Sequence, residues 1–176
     1  MRTRTGHVST ISYNSENFLK TKLNELCEKH IISDYMYIKH HPEEDERKEH
    51  IHLVIRPNQK IDTMEIQDYL TEVIPDGKPL KCIDFRRTSD LDEWILYELH
   101  HPEYLLSKGE SRKYVYTKDD FCFYDEDTFE YNYYHAFHAS KWAQNRSITK
   151  HIKESIFIIK TKVIFCIYIF SAFSFA

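Results

Sequence analysis

The sequence predicts an α+β domain in which an antiparallel β-sheet carries helices on one face. Short segments rich in β-branched and aromatic residues alternate with segments whose apolar residues recur at helical spacing, and the resulting order is β-α-β-β-α-β-α. In a chain of 176 residues, 41% hydrophobic and 15% aromatic residues are enough for a globular body with its own core.

The first half of this pattern is a strand, a helix and two further strands. The segment VSTISY, residues 8–13, predicts the first strand, and SENFLKTKLNELCEKH predicts a helix with Ser15 as its candidate cap. DYMYIKH, residues 34–40, alternates Met and Ile with Tyr and predicts the second strand. The third strand lies within KEHIHLVIRP, residues 48–57.

The second half adds two helices and a strand. IDTMEIQDYLTEVI opens with Asp62 and Glu65 spaced as a capping box, so it predicts the second helix. KPLKCIDF predicts a fourth strand, and DLDEWILYELHHPEYLL predicts a third helix from near Asp90 at least to the residue before Pro102. This order suits the split βαβ, or ferredoxin-like, arrangement, with the histidine-containing strand in the centre of the sheet.

We expect three segments along the chain: a domain over residues 1–121, an acidic and aromatic C-terminal extension of that domain over residues 122–154, and a hydrophobic tail over residues 155–176. From Val163 to Ala176 the tail has no charged residue, but as a helix this run would span only about 21 Å of a roughly 30 Å hydrocarbon layer. Starting at Ile156 the run is long enough, with Lys160 and Lys162 near one edge. Three interpretations of the tail stay open: a membrane contact, an oligomer contact, and a tail that arises from a frameshifted or truncated gene.

Composition and motifs exclude several functional classes. The cysteines lie far apart with no Cys-x-x-Cys pair, which argues against a zinc knuckle or a redox motif and suits a reducing cytoplasm. The start, MRTRTGHVST, has no apolar region of the kind found in secretory signals, so we expect a cytoplasmic protein. No Gly-x-x-x-x-Gly-Lys-Ser/Thr motif is present, so no P-loop helicase domain is expected.

His50 and His52 are the first candidate functional residues. Side chains alternate along a strand, so these two imidazoles share one face while Ile51, Leu53 and Ile55 share the other. A lone surface histidine is usually unremarkable, but two on one face of a strand can bind the same divalent metal ion. The upstream segment KHHPEED offers further ligands: His40, His41, Glu43, Glu44 and Asp45.

Three motifs in order point to a family. VSTISY stands near the start, HIHLVI follows, and Tyr97-Glu98-Leu99-His100 precedes KYVYTKDDF. Together they resemble the HUH endonucleases, and more narrowly the small rolling-circle replication initiators of Gram-positive plasmids and related phages. The resemblance covers about Val8 to Phe121, and the joint pattern is far more specific than any one of its motifs.

The resemblance implies a metal site and a nucleophile. His50 and His52 would bind Mn²⁺ or Mg²⁺ together with His40 and Glu43, although His41 and Glu44 have the same spacing. A mixed nitrogen and oxygen ligand set favours manganese over magnesium.

Tyr97 would attack a phosphodiester of single-stranded DNA and become joined to its 5′ phosphate. Tyr104, on the same predicted helical stripe, is the rival nucleophile.

The implied partners are origin DNA in single-stranded form, a host helicase and polymerase, and a second copy of the chain. Two alternatives stay open: a non-catalytic origin-binding or copy-control protein, and a transposase or relaxase of the same superfamily. The basic residues expected to contact DNA phosphates form two groups, Lys108, Arg112 and Lys113 in the first and Arg86 and Arg87 in the second.

Overall fold

The computed structural model describes residues 6–12, 16–41, 50–58, 62–71, 81–82, 85–88, 90–147, 149–150 and 152. Its strands are β1 (Gly6–Ser12), β2 (Ile32–His40), β3 (His50–Pro57), β4 (Lys81–Cys82), β5 (Arg86–Thr88) and β6 (Phe121–Phe123). They form one antiparallel sheet in the order β4-β1-β3-β2-β6, with β5 also paired to β1. The predicted α+β class with an antiparallel sheet is confirmed.

The helices separate the strands in the predicted order and then continue beyond it. They are α1 (Glu16–Glu28), α2 (Thr63–Leu70), α3 (Leu91–Glu98), α4 (Pro102–Ser107) and α5 (Glu126–His138). Asp62 caps α2 by accepting a hydrogen bond from the backbone N–H of Met64, which fits the predicted start. Residues 72–80, which include the predicted end of this helix, lie outside the described residues.

One face of the sheet packs against α1 and α2 and forms the main core. Apolar residues at helical spacing in α1 and α2 meet the inward-facing residues of the three central strands. The core residues with no measurable exposure are Ile11, Leu19, Leu23, Ile51, Leu53, Ile55 and Leu70. The histidines of β3 therefore point to the other face.

Helix α3 lies against this other face, whereas the sequence predicted helices on one face. Glu98, the last residue of α3, reaches His40 and His52 on that face. The physical reason is that the second face is also apolar, since Ile38 and Val54 are almost completely buried and must be covered.

The predicted third helix is in fact two helices. The backbone N–H of His100 donates to the carbonyl of Tyr97, and that of His101 donates to the carbonyl of Leu96, which is the hydrogen-bond pattern of a Schellman C-cap. His100 has the left-handed backbone conformation that such a cap favours, with a φ of 51°. Pro102 then starts α4. The proline disfavours a helical conformation at the residue before it, so the chain turns here.

The chain divides into two compact units, Met1–Phe137 and His138–Ala176. The first includes part of the predicted extension, since β6 pairs with β2 and Phe123 stacks on Phe129 of α5 at 4.4 Å between ring centroids. In the second unit residues 141–147 are helical, and the predicted hydrophobic tail lies outside the described residues. Within the part of the chain that the structure describes, no helix has the length and apolar character needed to cross a bilayer.

Gly6 is expected to be intolerant of a side chain. A Cβ at this position would lie 2.6 Å from Cγ2 of Val54 and 3.3 Å from the carbonyl oxygen of Ile55. Val54 is buried, so it has little room to move. We predict that Gly6→Ala lowers the free energy of unfolding by about 1–3 kcal/mol, measured by urea denaturation. An unchanged midpoint would show that β1 and β3 can separate at this point.

Candidate metal centre

Three histidines from two neighbouring strands form the candidate metal centre. His40 of β2 lies directly opposite His50 of β3, and His52 follows two residues later on the same face. The His40 ring centroid lies 5.6 Å from that of His50 and 4.6 Å from that of His52. One nitrogen from each ring lies within 4.8 Å of the other two. These three histidines could hold a metal ion.

Burial keeps two of the imidazoles neutral. It is the main cause that lowers the pKa of His40 to about 4 and that of His52 to about 3, and neighbouring histidines contribute to both shifts. Neutral imidazole is the form that binds a metal, so at neutral pH these two ligands need release no proton.

A hydrogen bond orients the deepest ring. His40 donates from Nε2 to the backbone carbonyl of Glu98 at 2.7 Å, which leaves its Nδ1 as the nitrogen able to bind a metal. The ring of Tyr116 stacks on the His40 ring, with 4.5 Å between the centroids and 10° between the planes. The position of this ligand is therefore fixed from two sides.

Glu98 places a carboxyl group beside the histidines. Its Oε2 lies 3.3 Å from Nδ1 of His52 and 3.8 Å from Nε2 of His40. This oxygen is buried, and among the described residues it has no hydrogen-bond partner. Burial raises the pKa of this carboxyl to about 8. A cation among the histidines would compensate the charge of Glu98, so the residues present fit a divalent metal.

The Glu98 carboxyl gives a testable dependence of stability on pH. Its pKa is higher in the folded chain than the ordinary value, so its contribution to stability is present at low pH and is lost as the pH rises from about 4.5 through about 8. Gln cannot ionise. We therefore expect the melting temperature of metal-free Glu98→Gln to equal that of the parent at about pH 5. At about pH 9 we expect the variant to have the higher melting temperature. Thermal unfolding in EDTA measures this, and a constant difference across the range would contradict the assignment.

Tyr97 lies beside the histidines. A cavity of about 120 Å³ is lined by the three histidines, by Tyr97 and by Arg112, among others. The Tyr97 hydroxyl donates to Oε2 of Glu110 at 3.2 Å, and Nη2 of Arg112 donates to the Tyr97 oxygen at 3.2 Å. Burial and Glu110 raise the pKa of Tyr97, while Arg112 lowers it. The hydroxyl thus has a proton acceptor and a cation within hydrogen-bond distance.

His100 holds the segment that follows α4 against the site. Its Nδ1 donates to the backbone carbonyl of Tyr114 at 2.9 Å, and its ring lies 4.6 Å from that of His40 and 5.1 Å from that of Tyr116. A non-glycine residue with this positive φ carries a conformational cost of about 1–2 kcal/mol. The contacts of the imidazole offset that cost.

The structure separates the two histidines of the KHHPEED segment. His40 is 5% exposed and belongs to the three-histidine cluster, whereas His41 is exposed and its backbone N–H donates to the hydroxyl of Tyr116. The predicted acidic ligand Glu43 and its alternative Glu44 lie outside the described residues.

The rival nucleophile has a different environment. Tyr104 is 3% exposed, and its hydroxyl donates to Oε2 of Glu93 at 3.0 Å. The cavity beside the histidines is lined by Tyr97 and not by Tyr104. Of the two, Tyr97 is the tyrosine that lies at the candidate metal centre.

The first group of residues predicted to contact DNA, Lys108, Arg112 and Lys113, does not form one surface, because each residue has different neighbours. Arg112 binds Tyr97 and Glu110, whereas Lys108 pairs with Glu93 at 3.2 Å. Lys113 lies over the ring of Tyr114 at 5.8 Å. Arg112 is thus the member of this group that reaches the site.

Three residues of the site were not predicted from the sequence: Glu98, Glu110 and Tyr116. An acid inside the apolar run WILYEL was a signal for Glu98, because a charge on a buried helix face requires a partner. The other two follow α4 in residues without regular structure, so no periodicity marks them.

Comparison with known proteins identifies no relative of this chain. No protein-family model matches the chain, and no curated protein and no solved structure matches it.

Proposed function

We propose that this protein is a metal-dependent nickase and strand transferase for single-stranded DNA, which initiates rolling-circle replication of a plasmid or phage. One observation carries the proposal: the Tyr97 hydroxyl and three converging histidines line the same cavity. A nucleophile next to a site for a divalent cation is what covalent cleavage of a phosphodiester requires.

The fold supports the same proposal. The strand order β4-β1-β3-β2, with helices after β1 and β3, is compatible with the ferredoxin-like split βαβ arrangement. His50 and His52 then lie on a central strand, where neighbours on both sides fix the backbone. This rigidity suits a site that must hold two ligands at fixed separation.

The residues around Tyr97 can carry out the proton transfer. In the proposed reaction Glu110 accepts the phenolic proton while the Tyr97 oxygen forms a bond to phosphorus. The bond from phosphorus to the 3′ oxygen breaks, and that oxygen takes a proton from solvent to become a free 3′ hydroxyl. Arg112 stabilises negative charge on the tyrosine oxygen and on the phosphate.

Rejoining is the reverse of this step. A 3′ hydroxyl releases its proton to solvent as its oxygen forms a bond to phosphorus. The bond from phosphorus to the Tyr97 oxygen breaks, and Glu110 returns its proton to that oxygen. The phosphodiester energy is stored in the covalent intermediate, so no external energy source is needed to close the strand.

His40, His50 and His52 would hold the metal. The resemblance implies Glu43, or its alternative Glu44, as the acidic ligand. When bound, Mn²⁺ or Mg²⁺ would neutralise charge on the phosphate oxygens. A host helicase would separate the strands, and a host polymerase would extend the 3′ hydroxyl.

Formation of a covalent adduct tests the proposal. The chain is incubated with manganese and a labelled pool of single-stranded oligonucleotides of randomised sequence, and the products are separated under denaturing conditions. We expect a protein–DNA band that survives denaturation and disappears on nuclease digestion. DNA binding with no adduct in any sequence would instead favour the origin-binding or copy-control protein.

A further inference from the structure

A second cavity adjoins the candidate metal centre. It has a volume of about 320 Å³ and lies between β1, β5 and α3. His52 and Glu98 line both cavities, so the two are separated by no more than these side chains. The volume is at the lower end of the range for small-molecule sites, about 300–1,000 Å³.

We propose that this second cavity binds the base of a nucleotide of single-stranded DNA next to the phosphate held at the metal centre. The inference rests on the proposed function and adds a base subsite to it. Two residues carry it, Trp94 for the base and Arg86 for the backbone.

Trp94 supplies an aromatic wall. It is half-buried, and its indole is held from one side by Phe121, whose ring centroid lies 6.4 Å away. Trp94 and Glu98 are four residues apart on α3 and so share a helix face, and both line the cavity. Val8 adds a second apolar surface. An aromatic wall in a mostly apolar cavity is the arrangement on which bases stack.

Arg86 supplies a cation to the same cavity. In the pairing of β5 with β1, Arg86 lies opposite Val8 and Arg87 lies opposite His7. Paired residues share a face of the sheet, so Arg86 belongs to the cavity face and Arg87 to the other face. Arg86 is exposed, and its guanidinium can pair with a phosphate of the strand whose base enters the cavity. The two arginines, predicted as one patch, therefore have different roles.

Fluorescence tests the base contact directly. The chain has two tryptophans, so Trp142→Phe leaves Trp94 as the single tryptophan reporter. The probe is an oligothymidylate of about 16 nucleotides, and its control is an abasic deoxyribose-phosphate strand of the same length and charge. We expect the oligothymidylate to quench Trp94 and the abasic strand to bind without quenching. Equal signals from the two strands would overturn the base subsite.

Affinity provides the matched comparisons. Trp94→Leu is expected to weaken oligothymidylate binding about tenfold and to leave binding of the abasic strand unchanged. Arg86→Ala is expected to reduce the salt slope of binding by about 0.7, the value for one phosphate contact, while Arg87→Ala keeps the parent slope. Equal slopes for the two arginine variants would remove Arg86 from the subsite.

The adduct assay separates this inference from the proposed function. A covalent adduct together with unchanged Trp94 fluorescence overturns the base subsite and leaves the nickase standing. Quenching by oligothymidylate but not by the abasic strand, with no adduct from any sequence, supports the base subsite and contradicts the nickase.

Discussion

Tyr97→Phe is expected to abolish formation of the covalent protein–DNA adduct, with a loss of cleavage of more than about 1,000-fold. The change removes only the hydroxyl that lies 3.2 Å from both Glu110 and Arg112. The ring keeps its packing on α3, so manganese binding and the melting temperature should stay close to those of the parent. Adduct formation is measured by denaturing electrophoresis with end-labelled DNA.

Tyr104→Phe is the matched control. It also removes one hydroxyl, but from a buried ring whose partner is Glu93. We expect a loss of stability of about 1 kcal/mol and an intact adduct. Mass spectrometry of the parent adduct should place the nucleotide on Tyr97, and a nucleotide on Tyr104, Tyr114 or Tyr116 would show that the nucleophile was assigned wrongly.

His50→Ala is expected to remove manganese binding while leaving the sheet folded. His50 provides one of three converging nitrogens and lies at the start of β3, on the face opposite the main core. Loss of a residue that only supports a metal ligand costs about 10–100-fold in affinity, so loss of a ligand should exceed this range. Calorimetric titration of the metal-free protein with manganese measures the affinity.

His41→Ala is the control for the histidine substitution. His41 is the exposed neighbour of His40 and is not a member of the three-histidine cluster. We expect its variant to bind manganese like the parent. The opposite result, with His41→Ala losing the metal and His40→Ala keeping it, would assign the ligand to the other register.

The order of strands and helices could be predicted from the sequence as far as Asp90. Apolar residues at period two in β3, and at helical spacing in α1, decide which side of each element faces the main core. The two-residue spacing of His50 and His52 likewise determined that both rings share a face. These properties depend only on neighbouring residues in the chain, so they can be predicted from the sequence.

The sequence was less informative after Asp90. One continuous helix was predicted where the chain forms α3 and α4, because Trp94, Tyr97, His101 and Tyr104 recur at helical spacing across the turn. Neither β6 nor α5 was predicted. These elements are stabilised by pairing with β2 and by contacts among Phe121, Phe123 and Phe129, which are distant from β2 in sequence.

The sequence by itself determined the α+β class, the shared face of His50 and His52, and Tyr97 as a candidate beside them. Only the tertiary structure decided that His40 and not His41 joins the cluster, that Glu98 is buried against two of its histidines, and that Glu110 and Arg112 meet the Tyr97 hydroxyl. The reason is physical: periodicity fixes the direction of a side chain relative to its own strand or helix. Which groups then come within hydrogen-bond distance depends on how separate elements pack, and α3 with the residues after α4 packs on the second face of the sheet.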